Sequence, residues 1–449
     1  MGKLDMHKND RGQSKLAALT VLRSQISSTL GHNVLSLYSL QFANYILPLI
    51  TVPYLVRVLG PERFGAVAFS QGLIAYLTTI VNYGFDWSAT RTISVQRHDL
   101  KAVTRTASSV WIAKTLLCLG GLFVLILLIQ TVNRLKGEAH LLYILFGIVI
   151  GNVMFPTWLF QGLERMVFIS IINFGMRSLV TVGIFFLVRQ PSDFLIYAGL
   201  LSLQWIGIGI LGVWTAKNHL HIQFERPSLP TVISTLKDGW HLFVSTSAVS
   251  LYTVGNTFIL GMVTNNIVVG YFSAAEKLVK ISYRLMIPLQ QAVYPRISKM
   301  ASHSPQSALR WSKHLLFIVL LGGSMISLFI LVATPMLVRI LLGVNYEPSI
   351  LVMRILAPLP LLIGVSNVLC FQIMLPFKKD KAFSFILLTA GVLNLSLAFF
   401  FAPLWQEKGM AVSVVTVEVF VVLASGSYLA KEGLLPFGYL LKKVLHIEF

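Results

Sequence analysis

Six basic side chains stand inside long apolar stretches of this 449-residue sequence. An ionisable group in such a stretch is costly, and it usually marks a substrate or ion pathway. Arg177 lies near the middle of the stretch 168–188, too deep for its side chain to reach a membrane surface. This position predicts that Arg177 either binds an anion in a water-filled cavity or forms a buried ion pair with a residue of another helix. Arginine suits a phosphate in particular, because its planar guanidinium group binds two oxygens at once.

Three of the other basic residues follow a helical pattern in the stretch 268–293. Lys277, Lys280 and Arg284 stand at positions i, i+3 and i+7, which places them on one helical face. This face is predicted to line a cavity, or to be solvated where the helix leaves the bilayer. Glu276 lies four residues before Lys280 and is expected to neutralise part of its charge. Lys277 and Arg284 are therefore the stronger candidates for substrate binding.

Lys114 and Arg354 are secondary candidates, because they lie near the ends of their predicted spans. A long basic side chain at a helix end extends its charge to the interface while its methylene groups stay in the apolar layer. This interpretation explains both residues without a role in binding.

One carboxylate, Glu418, lies near the centre of the last apolar stretch, 409–430. Burial favours its neutral acid form, so the residue is predicted to take up and release a proton, as an ion-coupled exchanger requires. An ion pair with an in-membrane cation such as Arg177 or Arg284 is an equally good interpretation. The two interpretations are compatible at different stages of a transport cycle.

The composition places these residues in a membrane protein. The sequence is 55% hydrophobic and 12% charged, and its mean hydropathy is +0.76. Apolar stretches of about 20 residues are long enough to cross the hydrocarbon layer as helices. The sequence therefore predicts an all-α polytopic membrane protein with about twelve transmembrane helices. The predicted spans are 33–56, 64–85, 107–131, 141–162, 168–188, 194–215, 239–262, 268–293, 312–334, 349–375, 383–403 and 409–430.

The charge and cysteine content narrow the class further. The net charge of +19 would indicate nucleic acid in a soluble protein. Here it indicates basic cytoplasmic loops and attraction to anionic lipid, with no nucleic-acid partner. With the N-terminus inside, and with Lys313 at the edge of its span counted with the loop before it, cytoplasmic segments hold 23 Lys and Arg and outward loops hold 7, which predicts that both termini are cytoplasmic. Cys118 and Cys370 lie in apolar spans and are interpreted as packing residues, with no disulfide and no metal site.

The spans divide into two halves of six, which are predicted to surround a central cationic cavity. A faint sequence similarity relates the halves: the segment Gly65–Ser70 matches Gly270–Ser273, at an offset near 205 residues. Six is an even number, so both halves enter the membrane in the same direction, as in a parallel repeat. The predicted segments are a cytoplasmic amphipathic or disordered segment 1–32, a six-helix bundle 33–215, a cytoplasmic linker 216–238, a second six-helix bundle 239–430 and a cytoplasmic tail 431–449.

A dense motif fills the first two spans. Pro48 and Pro53 interrupt the first span and are predicted to kink its helix, which is tolerated where a cavity or polar groups compensate. A short turn built on Gly60-Pro61 joins the two spans. Arg57 and Arg91 stand at the two exits of this hairpin.

This opening segment, roughly residues 44–99, resembles Wzx flippases, the polysaccharide-unit exporters of the MOP superfamily and distant relatives of MATE exporters. The matching residues are Leu47-Pro48, Pro53–Pro61, Phe64-Gly65, Asn82–Phe85 and Ala89–Arg91. The resemblance implies a flippase that turns an undecaprenyl-diphosphate-linked oligosaccharide from the inner to the outer leaflet of the bacterial inner membrane. It adds weight to Arg57 and Arg91 as substrate-binding residues, and it allows a polysaccharide polymerase and a chain-length regulator as partners.

The residues leave rival functions open. A MATE-like exporter of small organic cations would favour acidic cavity residues, whereas the in-span charges are six cations against Glu276 and Glu418. A membrane glycosyltransferase or polymerase would carry acidic catalytic residues in a large outer loop, and the longest outward loop, about 335–348, contains only Glu347. A non-transporting scaffold for a polymerase remains a third class. No enzyme, metal or nucleotide motif is present, so the sequence predicts a transporter without a cofactor that uses a proton or sodium gradient or the gradient of its own substrate.

Overall fold

The computed structural model describes residues 47–284 and 286–435, and within these ranges every regular element is helical. The predicted segment 1–32, the start of the first span and most of the C-terminal tail lie outside the described residues. The α-helices are α1 47–82, α2 Phe85–Gln96, α3 Leu100–Thr131, α4 Asn133–Lys136, α5 Ala139–Leu145, α6 Gly147–Met154, α7 Thr157–Gly162, α8 Met166–Leu187, α9 Phe194–Asn218, α10 Leu229–Thr253, α11 Asn256–Val263, α12 Asn266–Arg284, α13 Ile287–His303, α14 Pro305–Leu337, α15 Ser349–Leu356, α16 Leu359–Asn367 and α17 Asp380–Lys431.

Eight helical stretches of the described part are long and apolar enough to cross a membrane, which confirms an all-α polytopic membrane protein. Two of these stretches contain a helix that is interrupted by a residue at positive φ. Gly60 has a φ of +69° within α1, and Gln406 has a φ of +50° and a ψ of −128° within α17. The predicted seventh and eighth spans correspond to α10–α11 and α12–α13, which are not among the eight. The count of twelve therefore stays a prediction.

The break at Gly60 folds α1 into a hairpin. Glycine is suited to this position because it has no Cβ to clash at a positive φ. Residues on both sides of the break, 48–55 and 68–75, line the same cavity. A straight helix would hold Pro48 and Ala75 about 40 Å apart, so the two limbs of α1 must fold back on each other. Pro53 lies inside the helical run, so a kink at this residue stays a prediction.

The two halves meet through a reciprocal contact. A Cβ on Gly65 would lie 1.8 Å from the carbonyl oxygen of Asn266, and a Cβ on Gly270 would lie 2.1 Å from that of Pro61. Pro61 and Asn266 are separated by the same 205 residues as Gly65 and Gly270. Each contact is thus the repeat of the other, which is the pattern that a two-fold relation between the halves produces. Only glycine leaves room for the two backbones to approach this closely.

The predicted linker 216–238 is largely helical. Helix α9 continues to Asn218 and α10 begins at Leu229, so only residues 219–228 separate them. Pro230 stands in the first turn of α10. A proline is tolerated there because the first backbone N–H groups of a helix have no partner within it.

The position of Lys114 differs from the one that was expected from the sequence. Helix α3 begins at Leu100, so Lys114 lies well inside the helix and is only 2% exposed. It does not extend to the interface as predicted. Its Nζ donates to the carbonyl oxygen of Asn152, at 2.7 Å. In a continuous helix this carbonyl would bond to the N–H of residue 156, but Pro156 has none and α6 ends at Met154. Lys114 supplies the missing donor.

Replacement of Lys114 by methionine is expected to destabilise the protein by about 1–3 kcal/mol, because it leaves a buried carbonyl without a donor. Adding Pro156→Ala to the same variant restores a backbone N–H and is expected to recover part of this loss. The measurement is thermal unfolding of the purified variants in detergent, with Pro156→Ala alone as the matched control. Equal stability of wild type and Lys114→Met would contradict this account, and so would a double variant with no recovery.

Candidate functional site

A cavity of about 460 Å³ lies between helices of both halves, and its charged lining is mainly basic. Arg177 of α8 contributes from the first half. Helix α12 of the second half contributes Lys277, Lys280 and Arg284, with Glu276 as the one carboxylate among the described lining residues. The cavity wall thus carries four formal positive charges and one negative charge. The structure brings together the four in-span cations that the sequence placed first.

The cations of α12 occupy one helical face and are held in different ways. Lys280 Nζ lies 2.9 Å from Glu276 Oε1, so the predicted i, i+4 pair is present. Lys277 Nζ lies 4.6 Å from the ring centroid of Phe64, at the start of the second limb of α1. An aromatic face attracts a cation without neutralising it. Among the described residues, neither Lys277 nor Arg284 has a carboxylate within ion-pair distance. Their role in binding a ligand stays a prediction.

Arg177 and Arg284 approach each other from opposite halves. They are close enough for the charge of Arg284 to act on Arg177, and the two like charges repel each other. Burial strengthens the repulsion of like charges, so the pair needs compensation from water, an anion or neighbouring groups. A bound anion with two or more negative charges would relieve it. A phosphate group also matches the forked geometry of both side chains.

The uncharged part of the lining includes polar side chains that the sequence analysis missed. Gln71, Thr181, Gln204 and Thr257 each line the cavity, with Trp205 beside them. Amides and hydroxyls can exchange hydrogen bonds with the hydroxyl groups of a sugar. The sequence did contain a signal for some of these residues. Glutamines stand inside apolar spans, where an uncharged polar side chain also needs a hydrogen-bond partner.

A polar network closes the two halves against each other at one end of the cavity. Arg134 follows α3, and its Nε donates to the carbonyl oxygen of Gly261, at 3.0 Å. Its Nη2 donates to Asn266 Oδ1. Asn266 Nδ2 in turn donates to Glu138 Oε1, at 2.7 Å. The guanidinium group of Arg134 also lies 4.7 Å from the ring centroid of Phe69. We call Arg134, Glu138 and Asn266 the inter-half latch.

Three of the predicted arginines do not line the cavity. Arg57 is exposed beyond the cavity end of the α1 hairpin, where its Nη2 donates to the carbonyl oxygen of Ile340. Arg91 and Arg354 are also exposed, in α2 and α15. Arg57 thus contributes to the contact between the halves. Its place in the sequence motif did not show which way its side chain points.

Glu418 also lies outside the cavity lining. Its carboxylate accepts a hydrogen bond from the Ser366 hydroxyl, and its charge acts on Tyr283 of α12. Among the described residues, no cation lies within ion-pair distance of Glu418, so the predicted pair with Arg177 or Arg284 is not formed in this conformation. Tyr283 is the neighbour of Arg284 in sequence. Glu418 therefore lies near Tyr283, the residue next to Arg284 of the cavity wall, and not in the wall itself.

Comparison with known structures identifies the fold. The chain superposes with a TM-score of 0.70 on the lipid II flippase MurJ in an inward closed conformation, at 14% identity, over 88% of this chain and 87% of that one. It superposes with a TM-score of 0.67 on an inward-facing multidrug resistance MATE transporter of the MOP superfamily, at 13% identity, over 86% and 95% of the two chains. At these identities the likeness concerns the fold alone.

Comparison of sequences identifies the family. Residues 30–301 match the family described as polysaccharide biosynthesis protein. A protein of Escherichia coli (strain K12), provisionally named O-antigen transporter, is 35% identical over 394 residues, which cover 88% of this chain and 95% of that protein. A protein of Shigella dysenteriae with the same provisional name is 32% identical over 407 residues, or 87% and 98% of the two chains. The chain therefore belongs to the polysaccharide biosynthesis protein family, which confirms the kind of family that its opening motif predicted.

Proposed function

We propose that this protein is a flippase for a lipid-linked oligosaccharide carried on undecaprenyl diphosphate. The convergence of Arg177 with Lys277, Lys280 and Arg284 on one cavity carries this proposal. The curated relatives are provisionally named O-antigen transporters, and the structural relative MurJ is named a lipid II flippase. A glycan joined to a lipid through a diphosphate combines the two groups that the lining suits, an anion and a set of hydroxyls.

The chemistry of the substrate explains why the charges are needed. An isolated charge at the bilayer centre is unfavourable by at least roughly 2.5 kcal/mol, and a diphosphate carries two or more. Four cations in a water-filled cavity offset this loss of hydration. The glutamines and threonines of the wall are proposed to bind the sugars, while the lipid chain stays in the bilayer.

An exporter of organic cations fits the same fold less well. The cavity has a net formal charge of +3 when its four cations are counted against Glu276. A cavity of this sign lowers the local concentration of a cation and raises that of an anion. The charge of the cavity therefore favours the flippase over the MATE-like alternative.

Transport is proposed to proceed by alternating access in the bacterial inner membrane, with both termini in the cytoplasm. In that orientation the inter-half latch would lie at the periplasmic end, and this conformation would be the one closed toward the periplasm. Arg134, Glu138 and Asn266 would then separate in each cycle. Their hydrogen bonds would be exchanged for bonds to water, which keeps the free-energy difference between the two states small.

Glu418 is proposed to couple this cycle to an ion gradient. The carboxyl group sits next to the charged wall, so opening the cavity to either side would change its hydration and its proton affinity. Glu418→Gln is expected to keep folding and substrate binding but to lose its response to a proton gradient. The measurement is transport into vesicles with an imposed pH gradient, intact or collapsed. If wild type and Glu418→Gln respond equally to the gradient, Glu418 is not the coupling residue.

Arg177→Ala is expected to lower the rate of export by at least about tenfold, because a hydrogen bond to a charged group contributes about 1.5–3 kcal/mol. Arg177→Lys should restore export only in part, since a point charge replaces a fork. Export is measured as surface polysaccharide in a strain that lacks every related exporter, with lipid-linked units on the inner leaflet measured in parallel.

Arg354→Ala is the matched control, because it removes an exposed arginine from a membrane helix outside the cavity. This variant should export at the wild-type rate. Normal export by Arg177→Ala, at wild-type protein levels, would reduce Arg177 to a structural residue and remove the main support for the proposal.

A further inference from the structure

A second cavity, of about 580 Å³, lies between the two limbs of α17. The break at Gln406 folds this helix into a hairpin whose first and last turns meet, since Lys379 Nζ lies 2.6 Å from Glu432 Oε2 across its ends. We call this cavity the α17 groove. It shares no lining residue with the central cavity. The groove is lined by Lys381, Ala382, Phe385, Ile386, Ala424, Ser427, Tyr428 and Lys431.

The walls of the α17 groove are apolar over most of their length. Ala382 and Ala424, one on each limb, are small enough to leave space between the helices. Phe385 is 70% exposed. In a membrane-spanning hairpin, this ring faces hydrocarbon and not water, and an acyl chain is the natural neighbour of such a wall. Nothing in the described part of the chain covers the groove.

One end of the groove is positively charged. Lys381 and Lys431 stand in the first and last turns of α17 and are both exposed. Neither has a carboxylate within ion-pair distance among the described residues. The nearby Glu432 is already engaged: its hydrogen bond with Lys379 lowers the pKa of Glu432 and raises the pKa of Lys379. The pair therefore stays ionised, and Asp380 is the one other acidic residue at the ends of α17 within the described part of the chain.

We propose that the α17 groove binds an anionic glycerophospholipid, with its phosphate between Lys381 and Lys431 and one acyl chain along Phe385. Two ammonium groups above an apolar wall match the two parts of such a lipid in charge and position. The hydroxyl of Ser427 can donate a hydrogen bond to its phosphate or glycerol oxygens. The lipid chain of the transported substrate is disfavoured as the occupant, because the groove has no connection through its lining to the central cavity. This inference does not depend on the transport activity.

The test is lipid binding to the full-length protein in detergent, counted by native mass spectrometry during titration with phosphatidylglycerol or phosphatidylcholine. Wild type is expected to bind phosphatidylglycerol more tightly than phosphatidylcholine. Lys381→Ala/Lys431→Ala should weaken the phosphatidylglycerol site by about fivefold for each lysine removed. Lys101→Ala/Lys217→Ala is the matched control, because it removes two exposed lysines from helix ends outside the groove.

Three outcomes would overturn the proposal. Equal weakening by the groove variant and the control would show general attraction to a basic surface. Equal binding of the two phospholipids by wild type would show an apolar crevice without a headgroup site. Displacement of phosphatidylglycerol by undecaprenyl diphosphate, measured on the Arg177→Ala background, would assign the groove to the substrate lipid. All variants should unfold at the wild-type temperature, so a change in binding cannot be attributed to misfolding.

Discussion

The desolvation of positive charge is the constraint on which the rest of this structure depends. Four cations cannot remain in a hydrocarbon layer unless water, a carboxylate or an aromatic ring compensates for lost hydration. Glu276 compensates Lys280 and the ring of Phe64 attracts Lys277, while Arg177 and Arg284 repel each other across the cavity. The helices that carry these groups must therefore face a common wet space, and α12 is too polar to face lipid.

The irregular backbone follows from the same constraint. A membrane helix can break only where other groups satisfy its carbonyls. At Pro156 the buried Lys114 does so, and this cation has a structural role instead of a place in the cavity. The breaks at Gly60 and Gln406 create two hairpins. The first supplies walls to the central cavity, and the second forms the α17 groove.

The sequence was sufficient to predict the features that follow from the cost of burying a charge and from the spacing of residues along a helix. Arg177, Lys277 and Arg284 were identifiable because a charge deep in an apolar span needs a wet environment, and the spacing on α12 defines a face. It could not predict what depends on contacts between distant segments. Lys114 was misjudged because its partner, the carbonyl of Asn152, is 38 residues away and is freed by a proline in another helix. Arg57 matched the family motif, but a motif does not give the direction of a side chain.

The central claim is that the cavity binds the diphosphate group of a lipid and so moves this lipid across the membrane. Purified protein in sealed vesicles, supplied on one leaflet with an oligosaccharide linked to undecaprenyl through a diphosphate, tests it most directly. An enzyme that cannot cross the membrane reports how much lipid reaches the other leaflet. The account predicts protein-dependent crossing of the diphosphate lipid and little crossing of the same glycan on an uncharged lipid. Equal crossing of the two lipids, or crossing no faster than in vesicles without protein, would contradict it.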